Sequence, residues 1–338
     1  MITKGKILIT GGAGFIGAHL CELLLEQGHT IVAIDNLSTG SLENIQHLRA
    51  NPNFQFVRET IDSALVLDRL ASEAHTIIHL AAAVGVKLII DDPVQTIRTN
   101  IMGTEAVLDA ANRYSCKVLI ASTSEVYGKG VKVPFHEDDD RLMGPTTHSR
   151  WAYAASKAVD EFLGLAYQRQ FGLPVIIVRL FNTVGPRQTG QYGMVVPRFV
   201  QQALQGASLN VYGDGKQSRC FTDVLDVVGA LSRLISEPKA VGQVLNLGST
   251  QEVTILELAR RVIELTGSHS ETQLIPYSEA YGPGFDDMRR RVPSIDKIRR
   301  LINFEPRYTL DDTLNRIITY ERNRFIQSYP TASLAGTG

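Results

Sequence analysis

Two residues of complementary chemistry, Tyr153 and Lys157, stand four positions apart in a stretch that predicts a long helix ending near Phe171. Residues four apart share one face of a helix, so the phenol and the ammonium group can act together. A free tyrosine has a pKa near roughly 10, and a nearby positive charge favours its phenolate. The phenolate could take a hydroxyl proton while the carbon below it gives up a hydride. A tyrosine four residues before a lysine is also common on protein surfaces, so the surrounding sequence must show whether this pair is catalytic.

A hydride acceptor is indicated by the stretch from Lys6 to Asp35. An apolar strand runs into the turn Gly11–Gly17, a helix follows, and a second strand ends at Asp35. Such a turn lets the backbone approach a pyrophosphate, and the helix N-terminus offers free N–H groups with a partial positive charge. Asp35 lies eighteen residues after Gly17, near the position of an acid that binds an adenosine ribose. Because a carboxylate there repels a 2′-phosphate, we expect NAD rather than NADP; the alternative is a glycine-rich turn with an empty site.

The order of strands and helices indicates how these groups come together. Their alternation predicts an α/β fold, a Rossmann-type doubly wound parallel sheet with a smaller C-terminal substrate-binding domain. Ligands bind beyond the carboxyl ends of the strands in such sheets, and the suggestive residues lie at such ends. We assign residues 1–189 to the NAD-binding domain with the catalytic residues and 190–328 mainly to substrate binding. Some later segments, such as Val244–Gly248, should return to the main domain, and we expect 329–338 to be a disordered tail.

Composition narrows the classes of partner and compartment. Of 338 residues, 34 are basic and 35 acidic, which gives no reason to propose a nucleic-acid or membrane partner. The apolar runs are far shorter than the roughly 20 residues of a membrane span, and the N-terminus leaves no room for a signal peptide. Three widely spaced cysteines, Cys21, Cys116 and Cys220, indicate buried thiols in a reducing compartment, with no metal site. We therefore expect a cytoplasmic protein.

The cofactor unit, the strand ends and the tyrosine–lysine pair together resemble the extended short-chain dehydrogenases/reductases that act on nucleotide sugars. The resemblance covers the chain to about Phe325 and includes Leu80-Ala81-Ala82, Asn100 and Ser122–Gly128. It implies that Thr123 binds the reacting sugar hydroxyl, that Tyr153 is the base, and that Lys157 also holds the nicotinamide ribose. It also implies a homodimer, formed by the helices Val94–Tyr114 and Tyr153–Phe171.

Residue chemistry and resemblance together give two sets of expected contacts. The expected NAD contacts are Gly11, Gly14, Phe15, Ile16, Gly17, Asp35, Asn36, Asp62, Leu80, Ala81, Ala82, Asn100, Tyr153 and Lys157. The expected contacts to a nucleotide sugar, with UDP as the expected carrier, are Lys87, Asn182, Arg187, Val196, Arg198, Tyr212, Arg219 and Arg289. Asp62 could instead cap a helix, Lys87 could instead lie on the surface, and His79 is expected to be a hydrogen-bonded core residue.

The reaction is left open among three outcomes of a shared first step, the oxidation of a sugar carbon, usually C4, to a ketone. Thr123-Ser124-Glu125 and the stretch Gln217–Asp223 look like UDP-glucuronate decarboxylases, in which the resulting β-keto acid loses carbon dioxide. Arg219 would then lie near the carboxylate, and Ser124 and Glu125 would handle the proton returned to C5.

Other features support the alternatives. Residues 81–87 look more like those of 4-epimerases, whereas a 4,6-dehydratase is disfavoured by Ser124 or by Asp35, depending on the subclass. Glu125 could also be purely structural. A non-catalytic protein that senses NAD on the same fold is the alternative from a different class.

Overall fold

Short apolar strands alternate with helices in the computed structural model, which describes residues 5–83, 92–190, 193–281 and 288–328. The strands are β1 Lys6–Thr10, β2 Thr30–Asp35, β3 Phe54–Arg58, β4 Thr76–His79, β5 Lys117–Thr123, β6 Val175–Leu180, β7 Thr183–Val184, β8 Leu209–Tyr212, β9 Ser218–Cys220, β10 Thr222–Asp223, β11 Val244–Leu247, β12 Glu252–Thr254 and β13 Thr272–Ile275. The α-helices are α1 Phe15–Glu26, α2 Ala64–Ser72, α3 Pro93–Tyr114, α4 Ala152–Phe171, α5 Val195–Leu204, α6 Val224–Ser236, α7 Ile255–Thr266, α8 Tyr277–Tyr281, α9 Asp296–Ile302 and α10 Leu310–Ser328.

Seven of the strands form one parallel sheet in the order β11-β6-β5-β4-β1-β2-β3. Its central strands are buried along nearly their whole length, as expected where helices cover both faces. The strand order reverses between β1 and β4, which leaves a crevice at their carboxyl ends. The doubly wound parallel sheet predicted from the sequence is confirmed, including the return of Val244–Leu247 to its edge.

Two of the hydrophobic cores show that the molecule is divided differently from the linear sequence. The larger of these joins α1 and the sheet to α6, α9 and β11, through residues such as Leu20, Val228 and Leu245. The second core, which includes Phe199 and Leu258, packs α5, β8, α7 and α10 together. Segments beyond residue 190 therefore complete the half built on the parallel sheet as well as forming the smaller part.

The ends of the helices follow from their sequences. Gly28 follows α1 with a left-handed φ of +83°, and Gly172 follows α4 with a φ of +72°. Cys21, Cys116 and Cys220 are buried free thiols, as predicted. Within the described residues, no helix has the length and apolar character that crossing a membrane requires.

Candidate active site

A cavity of about 320 Å³ lies at the crevice between β1 and β4, where the glycine turn meets the ends of β5 and α4. Many of the residues selected from the sequence line it together. They are Gly11, Gly14, Phe15, Ile16, Gly17, Asp35, Leu80, Ala81, Ala82, Thr123, Ser124, Glu125, Tyr153 and Asn182. In this cavity the glycine turn therefore lies beside Tyr153 and the segment Thr123-Ser124-Glu125.

The glycine turn at the cavity floor is shaped for close approach. Gly11 has a φ of +71°, a region that other residues rarely adopt. A Cβ on Gly17 would lie 2.1 Å from the carbonyl oxygen of Gly11, so only glycine lets α1 begin so close to the turn. The N-terminus of α1 thus borders the cavity with its free N–H groups, a cradle suited to a pyrophosphate.

Asp35 closes the same turn at the end of β2. The backbone N–H of Ala13 donates to its Oδ2 at 3.0 Å, and the N–H of Leu37 donates to its Oδ1 at 2.7 Å. Burial raises the pKa of Asp35, while these N–H groups act in the opposite direction. Each carboxylate oxygen can accept more than one hydrogen bond, so the group can still receive ribose hydroxyls. The turn and the acid together fit NAD.

Tyr153 points its phenol into the cavity beside Thr123, which hydrogen-bonds to it. Burial raises the pKa of Tyr153, and the charges of Glu125 and Asp160 add to this, while Thr123 and Arg291 oppose it. The effect that the sequence predicted for Lys157 on this phenol stays a prediction. Lys157 Nζ donates a hydrogen bond to the carboxylate of Asp160 at 2.7 Å, which partly balances its charge.

Asn100 ties the end of β4 to the helix that carries Tyr153. Its side-chain oxygen accepts a hydrogen bond from the N–H of Ala83 at 2.9 Å, and its amide donates to Ser156 Oγ at 3.0 Å. His79, as predicted, is a core residue bonded to the hydroxyls of Thr10 and Thr104. Burial, aided by the charge of Lys157, lowers the pKa of His79 to about 3, so the ring is neutral.

Glu125 also lines the cavity, and two arginines bind its carboxylate. Arg150 donates to its Oε2, and Arg291 donates to its Oε1 at 3.4 Å. Burial opposes ionisation, but the charges of Arg150, Arg291 and Arg219 prevail and lower the pKa of Glu125 to about 2. Glu125 is therefore a fixed carboxylate at neutral pH, a poor proton donor and a weak base.

Several predicted substrate residues lie elsewhere in the structure. Arg187 makes a bidentate pair with Glu22 and lines an adjoining cavity of about 440 Å³. Arg198 stacks its guanidinium 4.0 Å from the ring centroid of Tyr212. Arg289 is exposed and pairs with Asp214. The residues that line the cavity include Arg291 but not Arg289.

The remaining predictions divide between buried, exposed and undescribed positions. The side chain of Val196 is buried in the second core, and Arg219 is buried with a hydrogen bond to the carbonyl of Ser218. Asn36 and Asp62 are exposed, and the residues that line the cavity do not include them. Lys87 lies outside the described residues. These roles stay predictions.

Three buried charged residues of the site were missed in the sequence. Arg150 stands three residues before Tyr153, and Asp160 stands three after Lys157, so helical spacing could have flagged both. Arg291 belongs to a run of three arginines, and only the fold shows which of them faces the cavity. In the part of the chain that the structure describes, no group of three or more His, Cys, Asp or Glu residues is placed to hold a metal ion.

Comparison with known proteins finds relatives that match nearly the whole chain. A sequence model of the family described as GDP-mannose 4,6 dehydratase matches residues 8–317. The chain is 42% identical over 320 residues to a UDP-N-acetyl-alpha-D-glucosaminuronate decarboxylase of Bacillus cytotoxicus, covering 94% of this chain and 98% of that protein. It is 38% identical over 317 residues to UDP-glucuronic acid decarboxylase 1 of Danio rerio, covering 94% and 72%.

Solved structures give the same fold. An epimerase from Methanothermobacter thermautotrophicus superimposes with a TM-score of 0.88 at 30% identity, covering 96% of this chain and 95% of that one. The UDP-glucuronic acid 4-epimerase of Bacillus cereus, in complex with UDP-glucuronic acid and NAD, superimposes with a TM-score of 0.85 at 30% identity, covering 94% and 99%. This chain thus shares its fold with a protein whose structure was solved in complex with UDP-glucuronic acid and NAD.

The phenol of Tyr153 is the group whose removal should be decisive. We expect Tyr153→Phe to lower turnover by about 10³-fold, because no other side chain replaces the proton acceptor. NAD should remain bound, as measured by the nucleotide released on denaturation. Tyr114→Phe, which removes a phenol bonded to Asp68 on the surface, is the matched control. Turnover at the wild-type rate in Tyr153→Phe would show that the catalytic assignment is wrong.

Proposed function

The chain belongs to the GDP-mannose 4,6-dehydratase family, and from that premise we propose that it decarboxylates a UDP-linked uronic acid. It is an NAD-dependent enzyme of nucleotide-sugar metabolism, as are its relatives. The proposed reaction oxidises C4 of the sugar to a ketone, releases carbon dioxide from C5, and reduces the ketone again. NAD, when bound, accepts the hydride from C4 and later returns it.

The observation that carries the proposal is the state of Glu125 between Arg150 and Arg291. A dehydration needs a base for the C5 proton and an acid for the leaving hydroxyl, and a carboxylate with a pKa of about 2 serves poorly as either. A 4-keto uronic acid is a β-keto acid, whose carbon–carbon bond breaks without such a group. Arginine side chains beside the cavity also suit a substrate that carries a diphosphate and a carboxylate.

The chain's own residues position the sugar and accept the proton that leaves the C4 hydroxyl. Tyr153 accepts the proton of the C4 hydroxyl, and Thr123, bonded to the same phenol, positions that hydroxyl. Lys157, on the same helix face, is the residue proposed to hold the nicotinamide ribose. Arg219, whose charge acts on Glu125, is proposed to contact the sugar carboxylate, and Ser124 is the remaining candidate to assist protonation at C5.

A 4-epimerase is the second candidate, because the UDP-glucuronic acid 4-epimerase of Bacillus cereus shares the fold and its first step also needs no acid at Glu125. The relatives named as decarboxylases are 38–42% identical, whereas that epimerase is 30% identical. Both candidates predict the same anionic substrate. The two named uronic acids differ at C2, where one relative's substrate carries an N-acetyl group.

The products distinguish the candidates. We expect purified enzyme with NAD to convert UDP-glucuronic acid or UDP-N-acetylglucosaminuronic acid to the corresponding UDP-pentose, with loss of carbon dioxide. Mass spectrometry and proton NMR check this, with UDP-glucose as the neutral control. An isomer of unchanged mass would replace the decarboxylase with a uronate 4-epimerase, and loss of water would indicate a dehydratase. Turnover of UDP-glucose alone would overturn the anionic substrate.

Glu125 should matter as an anchor for the arginines. We expect Glu125→Gln to lower kcat by about 10²-fold, since Arg150 and Arg291 lose the carboxylate that fixes them and the substrate is misplaced. Bound NAD should be unchanged, because the partners of Glu125 are Arg150 and Arg291 rather than residues of the glycine turn. Glu26→Gln, an exposed carboxylate at the end of α1, is the control. A kcat within threefold of wild type would make Glu125 dispensable.

We also propose that the enzyme is a homodimer formed by α3 and α4. These two helices pack against each other and share an exposed apolar surface. Its members are Val94, Ile97 and Met102 on α3 and Val159 and Phe162 on α4. Exposed apolar side chains on two packed helices are typical of an interface, and a two-fold axis would bury them against their own copy.

Substitution of Phe162 tests the dimer. This side chain is 60% exposed, and we expect Phe162→Asp to convert a dimer to a monomer at micromolar concentration in sedimentation velocity, because the substitution removes a large apolar contact and moves a charge into the interface. Leu65→Asp, at a residue 84% exposed on α2, should leave the dimer intact. A monomeric wild-type enzyme at that concentration would contradict the proposal.

A further inference from the structure

A buried hydrogen-bonded network extends from Lys157 away from the cavity. Lys157 Nζ donates to Asp160 Oδ2 at 2.7 Å, and both side chains are almost completely buried, at 2% and 0% exposed. The hydroxyl of Thr104, on α3, helps to stabilise the Asp160 carboxylate. The same hydroxyl is 3.1 Å from Nε2 of His79, whose other ring nitrogen is 2.8 Å from Thr10 Oγ1.

This network ends at the wall of the cavity. Thr10 Oγ1 accepts a hydrogen bond from the N–H of Ala81, so the last member is a backbone group there. His79 is neutral, because burial and the charge of Lys157 lower its pKa to about 3. The network fixes the position of Asp160, and through it the ammonium group of Lys157.

Asp160 is the carboxylate assigned to Lys157 among the described residues. The adjacent Glu161 is already engaged, since it accepts hydrogen bonds from Arg179 at 2.7 and 2.9 Å and from Ser122 at 2.5 Å. An ammonium has three donors, and the bond to Asp160 leaves two for ribose hydroxyls. Burying an ammonium without a counter-ion would cost several kcal/mol.

We propose that Asp160 is a positioning residue that fixes Lys157 and, as its counter-ion, sets the pH at which the Tyr153–Lys157 pair loses its proton. The phenol and the ammonium lie four residues apart on one face of α4, and the charge of Asp160 acts on the phenol as well as on Lys157. Groups coupled in this way lose a proton as a pair rather than as one residue. A carboxylate beside them disfavours the form that has lost a proton, because that form is one unit more negative. The proposal rests on Tyr153 as the base of the proposed function, but not on decarboxylation.

Charged and titratable groups face the Tyr153–Lys157 pair from each neighbouring element. They are Glu125 after β5, Arg150 before α4, Asp160 and Glu161 on α4, His79 on β4 and Arg291 in the loop before α9. Glu125 is neutralised by its arginines, Glu161 by Arg179, and His79 is uncharged. Asp160 is thus the carboxylate whose removal changes the charge at Lys157 directly.

The experiment compares Asp160→Asn with the wild-type holoenzyme, both loaded with NAD. The titration of Tyr153 is followed by the ultraviolet absorbance of tyrosinate, with Tyr153→Phe in each background subtracted. The acid limb of the kcat profile is measured in parallel with the uronic acid substrates. We expect both midpoints to fall by about one pH unit in Asp160→Asn, the size expected for one partly shielded charge at this range.

Controls separate charge from structure. Asp160→Glu should restore a midpoint near that of wild type, whereas Asp160→Ser, a smaller neutral replacement, should fall like Asp160→Asn. Asp68→Asn, which removes a carboxylate paired with Arg113 on the surface, should leave the midpoint unchanged. An unchanged or higher midpoint in either folded neutral variant overturns the proposal. Because the absorbance titration needs no turnover, it still decides the matter if the enzyme does not decarboxylate the substrates offered.

Discussion

Burial of charge at the carboxyl edge of the sheet is the constraint on which the rest of the site depends. An ion moved from water into a protein interior loses several kcal/mol of solvation, which only a well-placed partner offsets. Arg179, from β6, meets this condition with Glu161, from α4, and also donates to Tyr127 at 2.8 Å. Ser122, at the end of β5, donates to the same Glu161. The pair therefore fixes the Thr123–Glu125 segment relative to the helix that carries Tyr153.

The sequence predicted the half of the site that depends on local backbone geometry. Gly11 and Gly17 are recognisable because the turn needs a positive φ and a close approach, and Asp35 because a buried strand ends there. The tyrosine–lysine spacing was also readable, since helical periodicity alone places both side chains on one face. The same reasoning predicted the parallel sheet and its returning strand.

The sequence could not predict how the charges are paired. Arg289 and Arg291 are two residues apart, and one is exposed while the other lines the cavity, a difference that arises from the loop before α9. Arg187 pairs with Glu22 on α1, a contact that its residue type does not reveal, and its role toward substrate stays a prediction. Lys157 was expected to act on Tyr153 and on the nicotinamide ribose, and no sequence pattern shows that the fully buried Asp160 pairs with it. Each of these outcomes depends on tertiary burial, which sets the cost of leaving an ion unpaired.

The pairing of charged side chains also bears on which reaction follows the oxidation step that this chain shares with its relatives. The glycine turn, Asp35 and Tyr153 serve any reaction that begins with oxidation at C4, so they do not distinguish a dehydratase from the other enzymes. Glu125 does, because its partners determine whether it exchanges a proton. Two guanidinium groups hold it ionised, which removes it as an acid and weakens it as a base. A 4-keto uronic acid can then lose carbon dioxide or receive the hydride back on its other face. Loss of carbon dioxide needs the ketone and an ordered carboxylate rather than a proton donor at the moment the bond breaks.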